Sequence, residues 1–398
     1  MKTLAKNSLW LLIARLGTQG AMVLFTIILA RRLGSAGFGE YAFIAAIIFV
    51  ANMLTTFGTD MSIIREIAAH DNLSQLPAAL FLQLVISFVL IVLIWFGAPY
   101  FPNQSAKSIL ALRVYTFALL PLAFFTVFTI ALRGRQQMHA YTWLNLIGSF
   151  SQLAFVFLFI KPDTSIVTLA FLLLLNQFIV SFIGAIICGN QIQDFWRGWK
   201  FSVKDVLLLL GVSSPLALLT VIGMLYQKLS VTMVSIMSGA VLTGLFSVSQ
   251  RAVEAAKTGH VAIFTALYPA MAQEHNESFR LPWILLLIGA ALGAVTLSAL
   301  ARPLVQILFG AEYEASIPAL QILAWILIPY TVSTFLTLKF IALKKETPVL
   351  RASLASLILL AVFNVYLIPR AGLIGASASA LSIEMIQAGL LLMQWRLK

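Results

Sequence analysis

Twelve predominantly apolar runs follow one another along the chain, near 7–30, 38–58, 77–98, 109–132, 141–160, 166–189, 206–237, 242–271, 282–301, 317–341, 349–369 and 372–395. Each has about the length, roughly 20 residues, that carries an α-helix across the hydrocarbon of a bilayer. The seventh and eighth are the longest, and only residues 238–241 separate them. Barrel strands would give short alternating segments, which are absent, and open strands would leave backbone amides unpaired in lipid. The pattern therefore predicts an all-α polytopic membrane protein with about twelve transmembrane helices.

The polar breaks are short, with no room for a soluble domain. The two longest are 59–75 and 189–205. In the first, Asp60, Arg65, Glu66 and His70 alternate with Ile63, Ile64, Ile67 and Ala68, which predicts a short amphipathic helix at the membrane interface. The second falls at the midpoint and holds Trp196, Arg197, Trp199, Lys200 and Lys204, residues suited to an interfacial anchor. Six runs lie on each side of it, which suggests an N-terminal six-helix lobe over 1–198 and a C-terminal one over 199–398. Transporters commonly use such duplication, with the substrate site where the halves meet. Lys2 and Lys6 precede the first run as in a signal peptide. That run is too long for a typical signal core and contains Arg15 and Gln19, so it reads as a retained helix.

Composition agrees: 61% of the 398 residues are hydrophobic and 10% charged, against about a quarter charged in soluble domains. The net charge of +12 does not point to nucleic acid. The basic residues sit between the apolar runs, and no zinc spacing, phosphate loop or basic surface interleaved with aromatics accompanies them. The single cysteine, Cys188, cannot close an intrachain disulfide, and His70, His139, His260 and His275 are too scattered to suggest a metal site. With twelve spans both ends share a side. The loops on that side hold fourteen Lys and Arg and the opposite loops six, so the termini should be cytoplasmic. The pair Arg31–Arg32, on the opposite side, is the main dissent.

The interest lies in charges within the runs: Arg15, Arg113, Lys228, Arg251, Lys257 and Lys339, with Glu254 and Glu384. A charge at the bilayer centre costs from about 2.5 to more than 10 kcal/mol, so the deeper ones should face the bundle interior or water. Helical spacing places Ser8, Arg15, Thr18, Gln19 and Thr26 on one face, Lys228, Thr232 and Ser235 on another, and Ser247, Arg251, Glu254 and Thr258 on a third. For the Ser and Thr members the plainer reading is bonding to their own backbone and close helix packing. Arg251 and Glu254, three apart, can pair as a structural salt bridge, which competes with substrate contact. Arg113 and Lys339 lie near helix ends, from which they can reach the interface. Glu384 suits a proton or cation site, or a hydrogen-bonded neutral acid. Pro121, Pro215 and Pro329 lie inside runs and favour kinks. The in-span balance of six bases to two acids favours an anionic passenger, with phosphate or pyrophosphate well matched by Arg and Lys.

Four stretches carry a family likeness: Leu29-Ala-Arg-Arg-Leu-Gly-Ser-Ala-Gly-Phe-Gly-Glu-Tyr41, Phe57-Gly-Thr-Asp-Met-Ser-Ile-Ile-Arg-Glu-Ile67, Ile307-Leu-Phe-Gly-Ala-Glu-Tyr313 and Asn364-Val-Tyr-Leu-Ile-Pro-Arg-Ala-Gly-Leu-Ile-Gly-Ala-Ser377. In order and spacing the chain resembles the polysaccharide-transport family of the multidrug/oligosaccharidyl-lipid/polysaccharide flippase superfamily. The resemblance implies two six-helix lobes that rock between inward and outward states. It also implies flipping of undecaprenyl-pyrophosphate-linked sugar units across a bacterial inner membrane, as in O-antigen flippases of the Wzx type. Its implied partners are the lipid-linked oligosaccharide, membrane lipids, and polysaccharide polymerase and chain-length proteins. Related lipid II flippases carry an arginine in the eighth helix, and Ser249-Gln-Arg251 sits in the similar place. Where the family often has an aspartate near the end of the seventh helix, this chain has Ser230, with Lys228 close by, which leaves the coupling ion open.

These observations give Arg15, Lys228, Arg251 and Lys257 as candidate substrate-binding residues, and Glu254 and Glu384 as coupling or structural ones. No cofactor is expected beyond a proton or sodium gradient. Two rivals remain: an ion-coupled drug or metabolite antiporter on the same scaffold, for which intramembrane carboxylates are scarce, and a membrane-embedded polysaccharide enzyme, for which no convergent catalytic cluster is visible.

Overall fold

In lipid each backbone amide must find its partner within its own segment, and this chain meets that demand with helices. The computed structural model describes residues 2–396 except 57, 163, 193–194, 197–198, 200, 272–279 and 344, and without the side chains of 2–6, 208, 210–220, 258–271, 280–282 and 396. Among the described residues there are thirteen α-helices and no strand. The helices are α1 Lys2–Thr56, α2 Thr59–His70, α3 Leu76–Gly97, α4 Ala106–Thr116, α5 Leu119–Gly134, α6 Met138–Phe159, α7 Ile166–Gln191, α8 Val203–Met271, α9 Arg280–Ala299, α10 Ala301–Leu308, α11 Ile317–Ala324, α12 Leu327–Ala342 and α13 Glu346–Arg396.

Three of these are each two helices joined at a glycine of positive φ: Gly34 at 67° in α1, Gly239 at 80° in α8 and Gly372 at 50° in α13. Side chains with a Cβ rarely adopt that conformation. An unbroken α1 would be about 80 Å long at 1.5 Å per residue, well over twice the roughly 30 Å hydrocarbon core; its two arms each suit one crossing. Seven helices among the described residues are long and apolar enough to span, and two bent pairs bring the number to nine. Counting each of the three kinked helices twice then gives twelve segments, which coincide with the twelve runs. One bent pair is α9 with α10, at 62°; the other is the 3-10 turn Ala311–Ser316 and α11 with α12, at 43°. Pro121 and Pro329 stand at the third position of α5 and α12, so the kinks they favour take the form of turns before those helices. Pro215 lies in α8 outside the described side chains.

Large apolar side chains project outward: Phe88 is 66%, Phe96 69% and Phe182 68% exposed. That is untenable in water on this scale and expected against lipid.

The chain forms two compact units, Met1–Leu33 with Ile44–Met224, and Gly34–Phe43 with Leu225–Lys398. In the first, α3 packs on α5, α4 and α6 pack on α7, and α2 packs on α5. Its core gathers Phe128, Ala131, Leu144, Val180 and Cys188. The buried Cys188 approaches the Phe128 carbonyl, at 3.6 Å. The segment 59–70 is a helix with polar and apolar faces, as its spacing predicts. Its apolar stripe, Ile63 and Ile67, is buried in the protein core rather than left for lipid, because Gly134 on α5 lets Ile67 approach closely. At the midpoint Trp196 and Trp199 pack on each other and on Phe195, with ring centroids 4.8–5.6 Å apart. Arg197 and Lys200 lie outside the described residues.

Arg32, half of the dissenting pair, has a structural use. Its Nη1 donates to the carbonyls of Val156 (3.0 Å), Phe157 (2.6 Å) and Ile160, and its guanidinium lies over the Phe157 ring. The cation thus joins the Ile160 N–H at the Val156 carbonyl, reaches two further carbonyls at the end of α6 and meets the negative end of its dipole.

The second unit packs α9 on α11 and α12, and α12 on α13. Leu336, Phe340, Val349, Ala352 and Leu391 form a buried cluster there.

Candidate functional site

The second unit concentrates its polar side chains on the two arms of α8 and on α13. Lys228 lies on the first arm, about three turns before the Gly239 kink, and Arg251 and Glu254 lie on the second, about three and four turns after it. The chain doubles back on itself there, and Glu254 receives both cations. Its Oε1 is 3.7 Å from Lys228 Nζ and its Oε2 is 3.8 Å from Arg251 Nη1. Gln250 adds a third tie, with Nε2 donating to Glu254 Oε1 at 3.1 Å and to the Gln227 carbonyl at 3.2 Å. Two cations and one carboxylate leave the cluster with an excess of one positive charge. Both pairs are longer than a hydrogen-bonded ion pair, and all three side chains keep some exposure: 15% for Lys228, 27% for Arg251 and 34% for Glu254.

Lys257 lies one turn beyond Glu254, with its ammonium 4.3 Å above the Tyr330 ring. Arg15 belongs to the other unit. It is half-buried, and no ion pair to it occurs among the described residues. Within the second unit the structure brings Lys228, Arg251 and Glu254 together and puts Lys257 next along the same helix. Thr258 falls outside the described side chains. Thr18, Thr26 and Thr232 donate to carbonyls four residues back in their own helices, at 2.8, 2.8 and 3.0 Å. The plainer reading of those hydroxyls is the correct one.

Glu384 is 5% exposed in the second arm of α13, and Tyr226 Oη donates to its Oε2 at 3.0 Å. One turn along from Tyr226, the hydroxyl of Ser230 accepts from Asn364 Nδ2 at 3.2 Å. Both are buried, and the Asn364 side-chain oxygen Oδ1 has no hydrogen-bond partner among the described residues. Among the described residues no three His, Cys, Asp or Glu side chains gather closely enough to hold a metal ion. Arg113 donates from Nε to the Trp95 carbonyl at 3.0 Å and stacks on that ring, and Lys339 lies 4.3 Å from the Trp395 ring centroid.

Sequence reasoning missed Gln250 and Tyr226. Gln250 stands four residues before Glu254 and could have been read as its helical neighbour. Tyr226 gave no signal, because a tyrosine within an apolar run reads as one more core aromatic.

No curated protein matches the chain in sequence. Among solved structures it is similar to an inward-facing multidrug resistance MATE family transporter of the MOP superfamily, with TM-score 0.74, 16% identity, 95% of this chain and 94% of that one covered. It is similar to lipid II flippase MurJ in an inward closed conformation, with TM-score 0.74, 14% identity and coverage of 96% and 87%. A MOP superfamily transporter from Pyrococcus furiosus, described as having a binding pocket of reverse polarity, matches with TM-score 0.63, 16% identity and coverage of 100% and 95%. These likenesses establish the fold. In sequence, residues 4–275 match the model of the polysaccharide biosynthesis protein family, about two thirds of the chain, and the chain belongs to that family.

Proposed function

We propose that the protein is a flippase that moves undecaprenyl-pyrophosphate-linked oligosaccharide repeat units, of O-antigen or a similar surface polysaccharide, from the cytoplasmic to the outer face of a bacterial inner membrane. The observation that carries this is the Lys228–Glu254–Arg251 cluster: two cations on one carboxylate, partly exposed, within helices otherwise built for lipid. The fold does not choose between drug export and lipid flipping, because transporters of both kinds share it. The charge supports lipid flipping, since a positive cluster suits a pyrophosphate and opposes a cationic drug.

In this reading Lys228 and Arg251 bind the pyrophosphate, loosening their hold on Glu254, while the polyprenyl tail stays in the bilayer. Lys257, next along the same helix, adds further positive charge, and Arg15 remains a candidate of the first unit for the same anionic head. The site is exposed to one face and then the other by rocking, both termini are cytoplasmic, and no bond is made or broken. The emerging repeat units would pass to polymerase and chain-length proteins. Deleting the gene should make lipid-linked repeat units accumulate on the cytoplasmic face, detectable by mass spectrometry of extracted lipids. Normal surface polysaccharide with no accumulation would refute the assignment.

Glu384 is our candidate for coupling to an ion gradient. Glu254 is already engaged by two cations, whereas Glu384 is buried and accepts from the Tyr226 phenol. Glu384→Gln preserves shape and can still accept from Tyr226, but cannot exchange a proton. Export should fall at least ten-fold in this variant and lose its response to a proton gradient, while lipid-linked oligosaccharide binding persists. A response to sodium at constant pH in the parent, with none to protons, would instead make the gradient sodium. Unchanged export in Glu384→Gln would make the residue structural.

A further inference from the structure

A carboxylate set between two cations is a poor neighbour for an anionic passenger. If Glu254 closed on Lys228 and Arg251, it would form charged hydrogen bonds of about 2.7–2.9 Å and occupy the donors that a phosphate needs. The two pairs stand instead at 3.7 and 3.8 Å. We propose that Gln250 is the cause: it is a positioning residue that holds Glu254 off the cations and so leaves them able to grip an anion. The proposal rests on the reading of Lys228 and Arg251 as the phosphate-binding pair. Every group it invokes lies in the second unit.

The amide is placed by its own helix. Gln250 stands four residues before Glu254 in the second arm of α8, a spacing at which helical side chains meet. Its Nε2 carries two N–H groups, and both find acceptors: Glu254 Oε1 at 3.1 Å and the Gln227 carbonyl at 3.2 Å. Two acceptors fix which way the amide faces, since the reversed orientation would set its oxygen against theirs. Glu254 Oε1 is also the atom that faces Lys228. The neutral donor is the nearer to it, at 3.1 Å against 3.7 Å for the ammonium. Gln227 precedes Lys228 on the first arm, so the amide ties the carboxylate to the backbone of that arm rather than to its charge.

A side chain needed only to join the two arms would be fully satisfied. Gln250 is not: its Oε1 is buried and has no hydrogen-bond partner among the described residues. A buried acceptor without a donor is destabilising, and a leucine of similar size would avoid it. Departures of this kind gather at functional sites. The other polar choices would each spoil the charge. A lysine or arginine at this position would add a third cation, and an acid would repel Glu254. Glutamine supplies two donors and no charge, so the cluster keeps its excess of one positive charge.

The same bond serves when an anion is present. Lys228 and Arg251 then turn to the phosphate oxygens, and Glu254 loses both. A partly buried charge deprived of its partners is strongly unfavourable. Gln250 keeps an N–H on the carboxylate throughout. It has no donor left for the passenger, so it sets affinity without touching the lipid. Because its bond is to Oε1, the cation it frees most is Lys228, whereas Arg251 faces Oε2.

Two readouts test this, and only one of them uses a lipid. The first is acylation of the Lys228 amine by a small reactive ester in the full-length protein, followed by peptide mass spectrometry. In Gln250→Leu, Glu254 should close on the ammonium and slow the reaction about ten-fold, the scale of one hydrogen bond to a charged group. In a Glu254→Gln background, adding Gln250→Leu should change nothing, because the charge it restrains is gone. The second is binding of fluorescent undecaprenyl pyrophosphate to the protein in nanodiscs. Gln250→Leu should bind about ten-fold more weakly than the parent, and again only where Glu254 is present. If Gln250→Leu fails to accumulate, Gln250→Met carries the same test. Equal acylation rates in parent and variant, or unchanged binding, would overturn the proposal. So would an equal fall in the Glu254→Gln background, which would mark Gln250 as a tie between the arms alone. A parent that binds no undecaprenyl pyrophosphate would refute the flippase reading instead, and the Lys228 rates would still decide whether Gln250 restrains Glu254.

Discussion

Lys228→Ala and Arg251→Ala should each lower export of lipid-linked repeat units by roughly ten- to a hundred-fold at unchanged protein level. A hydrogen bond to a charged group is worth about 1.5–3 kcal/mol, and each 1.4 kcal/mol is about a factor of ten. Lys228→Arg and Arg251→Lys keep the charge and should lose less, with Arg251→Lys the worse of the two because an ammonium cannot grip a phosphate bidentately. The competing account is that the cluster only ties the two α8 arms together. Glu254→Gln separates them. It removes the charge that holds both cations while keeping an acceptor for Gln250. If the cluster is structural, this variant should lose protein level alongside the alanine variants. If it binds an anion, Glu254→Gln should bind the lipid-linked pyrophosphate at least as well as the parent and release it more slowly. A pull-down with labelled lipid-linked oligosaccharide, beside an immunoblot, distinguishes the two.

Phe128→Ala should destabilise the first unit by about 3–5 kcal/mol, the usual cost of removing a buried aromatic from a packed core. Phe128 is 2% exposed. Its ring is 6.1 Å from that of Phe195 and 6.2 Å from that of Trp196, and a Cβ on Gly184 would come 2.9 Å from it. It joins α5, α7 and the midpoint segment, so the cavity it leaves has no single neighbour able to collapse into it. Thermal denaturation in detergent, followed by loss of the monodisperse species, should show a midpoint lower by several degrees. Protein that does accumulate should export at the parental rate per molecule, since no residue of the polar cluster is touched. An unchanged midpoint would mean that this aromatic cluster does not hold the unit together.

The twelve crossings were legible because the bilayer fixes their length and admits no other secondary structure for runs of this kind. The breaks within α1, α8 and α13 were less so. Gly34 and Gly372 sit among other small or apolar residues, and only backbone geometry shows which glycine turns the chain. The amphipathic character of 59–70 was readable from Ile63 and Ile67, but an apolar stripe looks the same whether it faces lipid or protein. Arg251 with Glu254 could be read from a spacing of three. Lys228 reaching the same carboxylate could not, because that pairing needs the reversal at Gly239. Glu312 stood in a recognised stretch without a role, since its partner Ser35 lies 277 positions away.

The most direct measurement is translocation in proteoliposomes. Fluorescent undecaprenyl-pyrophosphate oligosaccharide is placed in the inner leaflet, and its arrival outside is timed by an added glycosidase that cannot cross. The account predicts protein-dependent arrival that falls at least ten-fold in Lys228→Ala and Arg251→Ala. Arrival no faster than in protein-free liposomes, with or without a proton or sodium gradient, would contradict it.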